Sequence, residues 1–92
     1  MANSNRIKQI ENYLKVVYKS DELNLQAIKG DASFRRYFRL SIKDSTYIVM
    51  DSPPLIEPVL PFIESTKLLL AQNINVPKIH HQNIELGCLV LD

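Results

Sequence analysis

Two periods of apolar and polar residues divide this chain. Residues 5–18 set Ile7, Ile10, Leu14, Val17 and Tyr18 on one face of a 3.6-residue repeat, with Arg6, Lys8, Glu11, Asn12 and Lys15 elsewhere. That spacing predicts an amphipathic helix, which Ser20-Asp21-Glu22 breaks. The repeat then shortens to two. Leu23, Leu25 and Ala27 alternate with Asn24, Gln26 and Ile28, a strand of about 23–29 ending at Gly30. A second strand over 34–43 alternates Phe34, Arg36, Phe38, Leu40 and Ile42 with Arg35, Tyr37, Arg39, Ser41 and Lys43. A polar turn at 43–46 leads to a third strand over 46–51, rich in β-branched and aromatic residues.

Pro53, Pro54 and Pro58 forbid regular structure until Pro61, which suits the first turn of a helix over about 61–72. Asn73-Ile74-Asn75 ends that helix, and 77–82 and 86–91 read as two more strands. Helix, three strands, helix, two strands predicts an α+β lobe with a five-stranded, mainly antiparallel sheet. The last residues, Leu91 and Asp92, close an apolar strand with no helix or polar tail after it. From this ending, more protein is expected to follow.

Composition narrows the function. At 92 residues the chain is at most one small domain, and 46% hydrophobic residues is ordinary for a packed chain. A net charge of +1 argues against a general polyanion binder. Positive charge is local instead, at Arg35, Arg36 and Arg39. No apolar run reaches membrane-spanning length, and the N-terminus lacks the apolar centre of a signal peptide. A single cysteine, Cys88, forms no intrachain disulfide, so a reducing cytoplasm is the expected location.

The candidate chemistry lies where the 30–33 turn runs into the arginine-bearing strand. Exposed backbone N–H groups beside fixed positive charge are suited to holding phosphate. Arg36 shares its face with Phe34, Phe38, Leu40 and Ile42, and a charge on an apolar surface requires a partner. A phosphate is one candidate; Asp31 or Asp51 is the structural alternative. Arg35 and Arg39 fall on the polar face, open to solvent. Arg35, Arg36, Tyr37 and Arg39 also interleave cations with an aromatic ring, as a module binding single-stranded nucleic acid would. His80 and His81, adjacent on a strand, point to opposite faces and cannot share a metal without distortion. Cys88 reads as a small buried hydrophobe.

Gly-Asp-Ala-Ser-Phe-Arg-Arg-Tyr-Phe-Arg from residue 30, Tyr-Ile-Val-Met-Asp-Ser-Pro-Pro from residue 47 and Asn75-Val76-Pro77-Lys78-Ile79 together resemble the aminoglycoside phosphotransferase-like kinases. Within that family the likeness is closest to the bacterial cell-wall sugar kinases, which phosphorylate N-acetylmuramate or N-acetylglucosamine at the anomeric hydroxyl. The resemblance implies that residues 1–92 are the N-terminal lobe of a two-lobe kinase, with a hinge starting at Asp92. Gly30, Asp31, Ala32, Ser33, Phe34, Arg35 and Arg36 would hold the phosphates of ATP. Ile28, Ile48, Ile79 and Leu91 would form the adenine slot, with the backbone of Leu91 and Asp92 offering hydrogen bonds. Mg²⁺, its ligands and the catalytic carboxylate would belong to a C-terminal lobe. The partners implied are ATP and, through that lobe, an amino sugar, with no nucleic acid and no membrane. The setting implied is cytoplasmic cell-wall sugar recycling, and the 92 residues alone are expected to be inactive.

The sequence departs from this pattern at one place. Lysine is usual on the third strand of such lobes, paired with a glutamate on the main helix. Here Met50 takes the lysine position, and Glu64 falls opposite the face carrying Phe62, Ile63, Thr66 and Leu69. Arg36, helped by Arg35, is expected to take over the cationic task.

Overall fold

The computed structural model describes residues 2–28 and 35–92, with side chains from residue 5 onward. The elements run α1 (Ala2–Tyr18), β1 (Leu23–Ile28), β2 (Arg36–Ile42), β3 (Ser45–Asp51), α2 (Leu60–Ala71), β4 (Ile79–Asn83) and β5 (Cys88–Leu91). Five strands form one sheet in the order β1-β2-β3-β5-β4, with every neighbouring pair antiparallel. Among the described residues the architecture is α+β, two helices with a five-stranded antiparallel sheet.

Alternation along the strands assigns each side chain to one of two faces. Across the sheet, Phe38 lies beside Val49 and Val49 beside Val90, while Tyr37 lies beside Met50 and Met50 beside Leu89. The first row faces α1, where Ile10 and Leu14 pack with Phe38, Leu40, Ile42, Val49, Cys88 and Val90. The second row faces α2, where Met50, Leu89 and Leu91 pack with Val59 and Ile63. The sheet therefore separates two apolar clusters.

Among the described residues, three non-glycine residues adopt the left-handed conformation, and each ends an element. Lys19 (φ 52°) follows α1, where Ser20 N–H donates to the Lys15 carbonyl. Asn73 (φ 61°) does the same for α2, with Ile74 N–H donating to the Leu69 carbonyl at 3.0 Å. Lys43 (φ 54°) opens the two-residue turn between Ile42 and Ser45. The polar turn is thus shorter than the sequence pattern placed it, because Ser45 and Thr46 already pair with β2.

Gly87 carries φ 77° just before β5. A Cβ there would stand 2.0 Å from the Ser52 carbonyl oxygen, so neither the angle nor the space admits another residue without rearrangement. Its carbonyl accepts a hydrogen bond from Ser52 N–H at 2.8 Å. This close approach fixes the segment after β3 against the β4–β5 connection.

Candidate functional site

Arg35 and Arg36 meet carboxylates rather than solvent. Asp51, at the end of β3, is fully buried on the α1 face. Arg36 lies directly across from it in the sheet. Arg36 Nε and Nη2 donate to Asp51 Oδ2 at 3.0 and 2.5 Å. From the helix, Arg6 Nε and Nη2 donate to Asp51 Oδ1 at 2.8 and 2.6 Å, and Nη2 also reaches the Leu86 carbonyl at 2.7 Å. A buried carboxylate gripped on both oxygens has its desolvation offset by charge-assisted hydrogen bonds. Between the two candidate partners of Arg36, the structure supplies the carboxylate. Arg6, assigned by helical spacing to the polar side, is the residue that sequence reasoning missed. Its neighbour Ile7 packs against the core, and the long side chain carries its guanidinium under the helix to Asp51.

Arg35 corrects a second expectation. Instead of extending into solvent it stands on the α2 face, its Nε 3.1 Å from Glu57 Oε2 and 3.2 Å from Ser52 Oγ. Its guanidinium carbon lies 5.5 Å from the centre of the Phe62 ring. Arg35, not Arg36, therefore shares a face with Met50, Ile48 and Leu91. This bears directly on the missing lysine. Met50 is fully buried among Val59, Ile63 and Leu89, so its position is filled by apolar packing, while Glu64 is exposed. Arg36 cannot stand in at that point, because the sheet lies between them.

Arg39 is exposed, and among the described residues it has no ion pair. It lines a cavity of about 330 Å³ with Thr46, Tyr47, Ile48 and Asp92. Ile48 lies beside Arg39 in one direction and beside Leu91 in the other, giving a cation and two apolar side chains in one row. Of the adenine-slot residues, Ile48 and Asp92 line this cavity and Leu91 is buried next to it. Ile28 shares the face, half-buried at the far end of β1. Ile79 instead lines a second cavity of about 490 Å³ between α2 and β4. The N–H of Asp92 is not open to a ligand, since it donates to the Lys78 carbonyl at 3.0 Å. Gly30, Asp31, Ala32, Ser33 and Phe34 lie outside the described residues. Tyr37, of the arginine–aromatic run, packs against the Met50 cluster.

The histidines depart from simple alternation. A register shift between Ile79 and His81 inserts His80 as a bulge. Both imidazoles then lie against one aromatic pair: His80 edge-on to Tyr47 at 5.0 Å and His81 edge-on to Tyr18 at 5.1 Å. The two tyrosines stack at 5.8 Å, and His80 Nε2 is 2.7 Å from Asp92 Oδ1. Burial raises the Tyr18 hydroxyl above its usual value, with the neighbouring tyrosines adding to the effect. Among the described residues, no group of three or more His, Cys, Asp or Glu is placed to hold a metal ion, and no helix is long and apolar enough to cross a membrane.

No family model and no solved structure matches this chain. Its sequence is 36% identical over 85 residues to an N-acetylmuramate/N-acetylglucosamine kinase of Neisseria meningitidis serogroup B, covering 91% of the chain and 25% of that protein. Proteins of the same name from Pseudomonas putida and Pseudomonas aeruginosa match at 43% over 68 residues and 46% over 62 residues. These alignments cover 74% and 67% of the chain, but only 20% and 18% of those proteins. The chain is thus a relative of the N-acetylmuramate/N-acetylglucosamine kinases, and its sequence corresponds to a quarter or less of theirs.

Proposed function

We propose that the chain is the ATP-binding N-terminal lobe of a cytoplasmic phosphotransferase that acts on a small hydroxyl substrate, an amino sugar in cell-wall recycling. One observation carries this reading beyond kinship. In a chain related to sugar kinases, Ile48 and Asp92 line the same cavity, against the buried Leu91. At about 330 Å³ the cavity falls within the range of about 300–1,000 Å³ usual for ligand sites. Its apolar wall suits the face of a purine, and the Arg39 guanidinium at its rim suits a π-system or an anionic group.

ATP would lie along the α2 face, its base against Ile48 and Leu91. Its phosphates would run toward the turn of Gly30, Asp31, Ala32, Ser33 and Phe34 and past Arg35, while Arg36 stays with Asp51 on the other face of the sheet. Arg35 stands on the same face as the base and is the nearer of the two in this arrangement. Mg²⁺ and the catalytic carboxylate would come from a second lobe, so residues 1–92 by themselves bind weakly and transfer nothing. This lobe would supply placement and charge, and the bond-making chemistry would lie elsewhere.

Titrating the ¹⁵N-labelled chain with ATP to millimolar concentrations tests the reading. Amide shifts concentrated at Arg39, Ile48, Leu91 and Asp92 are expected, with weaker shifts for the triphosphate alone. Shifts scattered over the α1 face, or none at all, would reject it.

A further inference from the structure

The groove between α2 and β4 has no role in nucleotide binding as described. Leu70 and Ile63 form its helical wall, and Val76 and Ile79 the opposite one. Lys67 and Lys78 are the charged residues that line it, and no carboxylate does. The surface continues onto α2 itself, where Leu68 and Leu70 are 64% and 62% exposed. Of twelve helical residues only Ile63 is buried, and Glu64 and Lys67 are the charged ones. A helix apolar around most of its circumference is built to be covered on more than one side.

Two features specify what covers it. Two lysines lining an apolar trough complement a ligand that is aliphatic in body and anionic at its edge. The wall formed by residues 74–78 has no regular structure. Among the described residues, Asn75 and Val76 make no backbone–backbone hydrogen bond, which leaves main-chain groups open beside the trough. Open main chain, an apolar trough and rim cations together suit a peptide laid in extended form. A compact anion would leave most of the trough unused.

We infer that the α2–β4 groove docks an extended, acidic and aliphatic segment of a partner protein, its apolar side chains against Leu70, Val76 and Ile79 and its carboxylates at Lys67 and Lys78. This site is separate from the nucleotide cavity and does not depend on that reading.

Fluorescence anisotropy tests the inference with a fluorescein-labelled peptide alternating Leu and Glu, and a counterpart carrying Lys in place of Glu. The acidic peptide binds, and added salt weakens it. The double variant Lys67→Glu/Lys78→Glu binds it about tenfold more weakly. Both lysines are exposed, so circular dichroism of the variant matches the parent. Leu70→Asp weakens the same complex by removing an apolar contact. Equal binding of the two peptides, no binding of either, or indifference to the lysine replacements overturns the inference. A concentration-dependent dimer that Leu70→Asp abolishes would give the groove to a second copy of the chain, and overturns it equally.

Discussion

The two helices occupy opposite faces of one sheet and are built on different terms. α1 carries Arg6, Lys8, Glu11 and Lys15 among its apolar residues, and buries Ile10 and Leu14 completely. It is also tied to the sheet by Arg6 on Asp51. α2 is far more apolar, yet buries only Ile63 and leaves four leucines exposed. Hydrophobicity alone does not decide which helix is better buried. The amphipathic helix finds a matching face and closes it; the apolar one has more surface than its side of the sheet can cover. Both cavities lie on that α2 side. Closure on one face supplies stability, while incompleteness on the other leaves room for ligands.

Removing the tie between α1 and the sheet is the severest test. Asp51→Ala leaves two guanidinium groups, 20% and 33% exposed, facing each other without their shared carboxylate. Breaking a buried pair in this way costs about 3–5 kcal/mol, a large part of what so small a domain has. Urea unfolding monitored by circular dichroism should show that loss. Arg6→Ala should cost less, since Arg36 still holds Asp51. Equal unfolding midpoints for Asp51→Ala and the parent would show that the pairing contributes nothing.

Matched truncations on the two helices sharpen the contrast. Leu14→Ala opens a cavity in a sealed cluster and should cost about 2–5 kcal/mol. Leu68→Ala, at an exposed position, should stay within about 0.5 kcal/mol of the parent. The unfolding midpoints check both. Similar losses from the two would mean that α2 is buried in solution, as it would be if copies of the chain associated through it.

Much of the fold was legible because it rests on local periodicity. The 3.6-residue repeat marked α1, and the two-residue repeat of Phe38, Leu40 and Ile42 marked the face of β2 that meets it. Proline and asparagine punctuation bracketed α2. What was not legible depends on reach across distant segments. Arg6 and Asp51 are 45 positions apart, and no repeat connects them. Arg35 looked solvated because strand alternation says which face a side chain takes, not that Glu57 and Phe62 wait there. Asp51 was foreseeable as a partner for Arg36, since strand pairing sets the end of β3 beside the start of β2. The bulge at His80 left no trace in the sequence, and it alone brings both imidazoles against Tyr18 and Tyr47. In the candidate site, Ile48 and Asp92 were named through the family resemblance alone, and the structure sets both at one cavity. Arg39 was passed over as a plain surface charge, because the cavity beside it forms only when β2, β3 and the residue after β5 come together.

A smaller effect than either core loss examines how well the α1 face is sealed. Cys88 lies there fully buried, and its thiol is pushed up from 9.0 to about 12. Burial is the main cause; the Asp51 carboxylate adds to it and Arg6 opposes it. A group whose value is raised by folding contributes stability that is complete below its unfolded value and disappears as pH climbs toward the folded one. Between pH 8 and pH 10 the unfolded thiol ionises while the folded one stays neutral, so this linkage removes stability on the order of 1 kcal/mol. Tyrosines and lysines also titrate near that range, and Cys88→Ala isolates the thiol: the fall in urea midpoint from pH 8 to pH 10 should be smaller in the variant by that amount. The folded chain should also react slowly with a thiol reagent at pH 8, at a rate that follows unfolding. Fast labelling under native conditions, with equal pH slopes for variant and parent, would mean that α1 opens readily and that the two faces of the sheet are alike in solution.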